Sequence, residues 1–126
     1  MASLMISKGA DVIKAAIAVA PVTNWKYYDN IYTERFLRTP GENKSGYEDN
    51  SPTNFVKNIK GKFLLIHGSA DDNVHMQNSM ELADALVKNN IPFDFMIYPN
   101  KNHGIGGGLT RLHIYSKILK FVTENL

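Results

Sequence analysis

The feature that most constrains this chain is a set of three short strand-like stretches, each separated from the next by segments of helical character. Ala15-Ala16-Ile17-Ala18-Val19-Ala20 is an unbroken apolar run that ends at Pro21. Phe63-Leu64-Leu65-Ile66-His67-Gly68 is a second, closing on a glycine turn, and Phe93 to Tyr98 is a third. Small and β-branched residues without polar alternation fit strands buried on both faces, as in parallel sheets. Helical signals lie between and after them. Met76, Met80, Ala83 and Val87 mark one face of a helix from about residue 75 to Lys88, and Leu112, Tyr115, Leu119 and Val122 mark a last amphipathic helix. Strand and helix in alternation predict an α/β fold with three mostly parallel strands and flanking helices.

Composition narrows what such a fold can serve. The 126 residues suffice for one domain with one core. Hydrophobic residues make up 44% and charged residues 21%, the balance of a globular rather than a disordered chain. The formal net charge is +2 and the basic residues are scattered, which argues against nucleic acid or an anionic membrane surface as a partner. There is no cysteine, so disulfides, thiolate zinc sites and a cysteine nucleophile are excluded. No apolar run approaches the ~20 residues of a membrane span. The opening MASLMISKGAD is too short and too weakly apolar for a signal peptide. The compartment stays open, with periplasmic, cell-envelope or extracellular placement of a parent protein all compatible.

The remaining segments are less regular. Ala2 to Lys8 reads as the tail of a helix, with Gly9 placed like a C-cap. From Thr23 to Leu37, Trp25, Tyr28, Tyr32 and Phe36 recur at helical spacing. Arg38 to Pro52 reads as a polar loop, and its Asn43-Lys44-Ser45 is formally a glycosylation sequon. Pro99 to Gly108 is a glycine-rich loop.

In open parallel sheets, functional groups gather on the loops that leave the C-terminal ends of strands. Two such loops carry suitable side chains. Gly68-Ser69-Ala70-Asp71-Asp72-Asn73 follows the second strand, and Asn100-Lys101-Asn102-His103-Gly104 follows the third. If the strands are neighbours, Asp71 or Asp72 can reach His103. A carboxylate bonded to one imidazole nitrogen fixes the tautomer and leaves the other nitrogen as a general base. Helix N-capping by the Asp-Asp-Asn stretch and a solvated His-Gly turn are the structural alternatives. His67 reads as a packed strand-end residue, and His75 and His113 as helical residues without a ligand role. The four histidines lack the spacing of a metal cluster.

The run His67-Gly68-Ser69-Ala70-Asp71-Asp72-Asn73-Val74-His75 resembles the HGxxDxxVH segment of the prolyl oligopeptidase family of serine peptidases. By that resemblance Asp71 is the catalytic aspartate. Tyr98 followed by Asn102-His103-Gly104-Ile105 resembles the family's histidine loop and makes His103 the triad base. Ala18-Val19-Ala20-Pro21-Val22 and Trp25-Lys26-Tyr27-Tyr28-Asp29-Asn30-Ile31-Tyr32-Thr33-Glu34-Arg35 are similar to the dipeptidyl peptidase IV branch. The resemblance implies an α/β-hydrolase fold and a pocket for proline at the penultimate substrate position, lined by Val22, Trp25, Tyr28, Tyr32, Asn73 and Val74. A flat, rigid, apolar ring suits such an aromatic and aliphatic box. No metal or organic cofactor is implied.

One departure is large. The family's nucleophile lies in G-x-S-x-G, and this chain contains no such motif. Ser3 would sit inside the helix that follows the elbow. The expectation is therefore the C-terminal portion of an α/β-hydrolase domain over residues 1–126, carrying acid and base without serine or oxyanion donors. The intact parent would release N-terminal Xaa-Pro dipeptides through an acyl-enzyme, and the chain alone would be inactive. An acyl-aminoacyl peptidase or esterase of the same fold is one alternative, and a non-catalytic interaction module is the other. The Ala15 to Ala20 strand is expected to be an open sheet edge, favouring self-association as an antiparallel dimer that also buries Leu4, Met5 and Ile6.

Overall fold

The computed structural model describes residues 1–126. Three strands form one sheet: β1 (Ala15–Val19), β2 (Lys62–Gly68) and β3 (Asp94–Tyr98), in the order β1-β2-β3 and parallel throughout. The register sets Ala18 beside Leu65 and Leu65 beside Phe95, with Gly68 level with Tyr98 at the C-terminal end. The helices are α1 (Ala2–Lys8), α2 (Asn30–Leu37), α3 (Lys44–Glu48), α4 (Gln77–Lys88) and α5 (Thr110–Asn125), with 3₁₀ segments at Trp25–Tyr27 and Pro52–Asn58. No helix is long and apolar enough to cross a membrane.

The sheet is covered on both faces, as its unbroken apolar strands require. Side chains alternate along β2, so Phe63 and Leu65 enter one core while Leu64 and Ile66 enter the other. The first core adds Ile6 of α1, Val56, Ile59, and Leu82, Ala83 and Leu86 of α4. The second adds Tyr98, Ile105, and Ile114 and Phe121 of α5. Both cores close around the central strand, which holds its C-terminal end rigidly in place for the loops that follow.

Several local expectations are corrected. The aromatic run is not one helix: Trp25 opens the 3₁₀ turn, Tyr28 is extended at φ −98° and ψ 162°, and α2 starts beyond Asp29. Asp29 Oδ1 accepts the Tyr32 N–H at 2.8 Å, capping α2. The stretch read as a polar loop contains α3, and its Tyr47 is buried, donating its hydroxyl to the Arg38 carbonyl at 2.7 Å. Asn43 of the sequon caps α3 through Oδ1 and donates Nδ2 to the Leu37 carbonyl, so its amide is already engaged. In α4 the buried face is Asn78, Ser79, Leu82, Ala83 and Leu86, whereas Met80 and Val87 are exposed. In α5 Ile114 and Phe121 are buried, and Leu112, Tyr115 and Leu119 face outward.

Candidate active site

The two loops meet because Gly68 lets them. A Cβ at Gly68 would collide with the carbonyl oxygens of Lys101 and Asn102. With that space open, the backbone after β2 runs directly against the backbone after β3. Ser69 N–H donates to the Tyr98 carbonyl and Ala70 N–H to the Lys101 carbonyl, each at 3.0 Å. Asn100 N–H returns to Ser69 Oγ at 2.8 Å.

Asp71 is then delivered beneath the surface, 5% exposed, with its two oxygens divided between tasks. Oδ1 accepts the N–H groups of Asn73 at 3.0 Å and Val74 at 2.9 Å, a turn that fixes the carboxylate against its own loop. Oδ2 lies 2.9 Å from His103 Nδ1. Asp72 is exposed and plays no part in this contact. Burial alone would raise the Asp71 pKa. The His103 hydrogen bond, the two backbone N–H groups and the imidazole charge outweigh it and hold the carboxyl below its ordinary value.

His103 lies half-exposed, with Nε2 free of any protein partner. Because Asp71 accepts from Nδ1–H, Nε2 carries the lone pair and faces outward as a proton acceptor. The loop that carries it is anchored by Ile105, which is 2% exposed in the second core. Ile105 adopts φ +41°, a conformation that a β-branched residue enters only at a cost. That strain is held by the packing of Ile105 and by its N–H donating to the Asn102 carbonyl at 3.0 Å.

His67 is fully buried beneath the acid. Its Nε2 lies 2.8 Å from the Val74 carbonyl and 3.3 Å from Asp71 Oδ2, and its Nδ1 lies 2.6 Å from Ser79 Oγ. A carbonyl only accepts, so Nε2 bears the proton and Ser79 donates to Nδ1. His67 is thus a satisfied core residue that supports the acid loop. Sequence reasoning assigned it only packing; its contact to Asp71 depends on strand-to-helix geometry that no spacing reveals. His75 is exposed and precedes α4 rather than lying in it. His113 bonds the Tyr98 hydroxyl at 2.9 Å through Nδ1.

A cleft of about 320 Å³ opens in front of His103, lined by Ala20, Val22, Trp25, Tyr28, Tyr32, Asn73, Val74 and His103. Every residue expected in the pocket borders it. Although the helix breaks at Tyr28, the rings still gather. Trp25 meets Tyr28 edge-on at 5.9 Å and stacks on Tyr32 at 6.1 Å, and Tyr28 meets Tyr32 edge-on at 5.5 Å. Tyr28 Oη lies 3.3 Å from Asn73 Oδ1, joining the aromatic wall to the acid loop. Behind Trp25 and Tyr32 lies a second apolar hollow, where the buried hydroxyls of Ser3 and Thr33 have no partner. No three His, Asp or Glu side chains are grouped to hold a metal ion.

The arrangement sets a carboxylate-oriented imidazole beside an apolar, aromatic cleft. Comparison with known proteins places it in context. Dipeptidyl peptidase 4 of Felis catus is 42% identical over 125 residues, covering 97% of this chain and 16% of that protein. Prolyl endopeptidase FAP of Mus musculus is 40% identical over 129 residues, covering 98% of this chain and 17% of that protein. The crystal structure of Porphyromonas gingivalis dipeptidyl peptidase 4 superposes with a TM-score of 0.95 at 52% identity, covering 98% of this chain and 18% of that one. The chain therefore spans about a sixth of the length of the curated relatives it matches. The sequence profile of the prolyl oligopeptidase family matches residues 1–126, and with these identities the chain belongs to that family.

Proposed function

We propose that this chain is the acid–base portion of a serine peptidase catalytic domain, working within a longer polypeptide that releases N-terminal Xaa-Pro dipeptides. The observation that carries this reading is the single cleft shared by His103 and the Trp25, Tyr28 and Tyr32 rings. In the reaction, a serine from outside this chain attacks the substrate carbonyl while His103 Nε2 takes its proton. Asp71 holds Nδ1–H and stabilises the resulting imidazolium. The tetrahedral adduct expels the amine, which receives the proton from Nε2, leaving an acyl-serine. Water then attacks the ester with Nε2 again as base, freeing the dipeptide and the serine. Val22, Trp25, Tyr28, Tyr32 and Val74 enclose the proline ring, and Asn73 offers a polar group to the substrate backbone.

A second reading has support of its own. One relative is named a prolyl endopeptidase, so cleavage after proline within a chain is the alternative for the same cleft. We further propose that the 126-residue polypeptide by itself pairs with a second copy through the open edge of β1. The function is tested by assaying the longer peptidase with Gly-Pro amide, N-blocked Gly-Pro amide and acyl-amino-acid reporters. Turnover of Gly-Pro amide alone is expected. Preference for the blocked reporter would favour the endopeptidase, and preference for acyl-amino acids would overturn the proline reading. The 126-residue polypeptide should turn over none of them, because a base without nucleophile or oxyanion donors loses most of the catalysis.

A further inference from the structure

Asn78 stands in the first turn of α4 and is 1% exposed, an unusual burial for a polar side chain without charge or metal to hold. Its bonds explain the position. Oδ1 accepts the N–H of Thr23 at 3.0 Å and of Asn24 at 3.3 Å. Nδ2 donates to the His75 carbonyl at 3.1 Å. In return, Thr23 Oγ1 donates to the Asn78 carbonyl at 2.7 Å, and Thr23 is itself 1% exposed. Two N–H donors facing one end and a carbonyl facing the other fix the orientation of the amide.

The partners on either side adjoin two separate segments that both line the cleft. Thr23 and Asn24 directly follow Val22 and lead into Trp25. His75 directly follows Asn73 and Val74. One buried amide thus ties together two segments distant in sequence, each adjoining residues of the lining. We infer that Asn78 is a positioning residue that sets the width of the apolar cleft, and through it the fit of the side chain the cleft accepts. Without the amide, the buried N–H of Thr23 and the part-buried N–H of Asn24 lose their acceptor. Leaving them unpaired is costly, so the Val22–Trp25 wall moves toward water to satisfy them. His103 and Asp71 are joined by other bonds and stay in place. The consequence is a binding defect rather than a chemical one. The kinetic part of this inference rests on the peptidase reading above; the structural part does not.

Trp25 is the chain's single tryptophan, so its fluorescence reports the wall directly. In the 126-residue chain, Asn78→Ala should shift Trp25 emission to longer wavelength and increase its quenching by acrylamide, with helical circular dichroism retained. Asn89→Ala, which deletes an amide-to-carbonyl bond at the other end of α4, should change neither. Asn78→Asp keeps the oxygen acceptor but sets a second oxygen against the His75 carbonyl, so it should restore the native emission only in part. In the longer peptidase, Asn78→Ala should raise KM for Gly-Pro amide about tenfold, equivalent to about 1.4 kcal/mol, with kcat nearly unchanged. Native emission and native KM in folded Asn78→Ala would overturn the inference, as would a fall in kcat at constant KM. If Asn78→Ala does not fold, Thr23→Val and Thr23→Ser decide. The valine variant should reproduce the shift and the serine variant should not; identical behaviour of the two overturns the inference. A longer peptidase inactive on every Xaa-Pro reporter would sink the peptidase reading, while Trp25 emission would still judge Asn78.

Discussion

The Asp71 carboxyl lies below the surface, where burial favours its neutral form, yet its surroundings keep it ionised. The balance is set by donors from three places: the backbone of Asn73 and Val74, and the ring of His103. Asp71→Asn tests what the charge contributes. The Asn oxygen can still accept from both N–H groups, but its NH₂ would then face His103 Nδ1 and reverse the tautomer. In the longer peptidase kcat should fall on the order of 10⁴-fold, the scale at which loss of the orienting carboxylate acts in such triads. Unchanged turnover in the folded variant would remove Asp71 from the mechanism. Stability carries the same signature with a defined sign. Because the folded pKa lies below the ordinary 3.8, the unfolded chain binds more protons in the window beneath that value, and stability falls as pH drops through it. Asp71→Asn should flatten that acid limb, measurable by urea unfolding across the same pH range. The choice between Asp71 and Asp72 could not be made from spacing, since both precede the helix. The family resemblance chose Asp71, and the physical reason is the Asx-type turn, which points Asp71 inward and leaves Asp72 exposed.

At the scale of elements, what was legible was the sheet and what was not was the rotation of the helices. Unbroken runs such as Phe63 to Ile66 admit few placements, and the three strands form the expected parallel sheet. In α4 a hydropathy pattern steers the buried face toward Met80 and Val87 and away from Asn78 and Ser79. The fold buries those two polar residues because Thr23 and His67 satisfy them, and neither partner is near in sequence. In α5, Leu112, Tyr115 and Leu119 form one apolar stripe and Ile114, Ile118 and Phe121 another. Which stripe packs depends on the sheet face presented, so periodicity alone cannot choose. The aromatic wall shows the opposite case: the wrong local structure with the right cluster. A 3₁₀ turn, an extended Tyr28 and the capped α2 bring together the same rings that a continuous helix would have aligned. Trp25→Ala or Tyr28→Ala in the longer peptidase should therefore weaken transition-state binding of Xaa-Pro substrates by about 1–3 kcal/mol, read as kcat/KM. Native kcat/KM in folded variants would return these rings to a structural role.

For the whole molecule, the decisive feature is the open side of β1. Parallel pairing directs the N–H and C=O of one residue to the same side, with alternate residues facing opposite sides. The Lys14 carbonyl accepts from Lys62 and the Ala20 N–H donates to Ile66, so even-numbered residues face β2. The polar groups of Ala15, Ile17 and Val19 consequently face away from the sheet. No lysine, proline or bulge interrupts this edge, and Val19 is 43% exposed beside it. Leu112, Tyr115 and Leu119 of α5 and Met5 of α1 are also exposed apolar residues. Ile6 is already buried in its own core and drops out of the expected contact, leaving Met5 as the exposed member of that group. Two copies related by a two-fold axis can pair these edges antiparallel, satisfying both sets of groups. Light scattering should give a dimer for the 126-residue polypeptide at micromolar concentration. Val19→Pro removes an edge-facing donor without touching the β1–β2 bonds and should shift the equilibrium toward monomer. A native polypeptide that stays monomeric at high micromolar concentration would rule out pairing through β1.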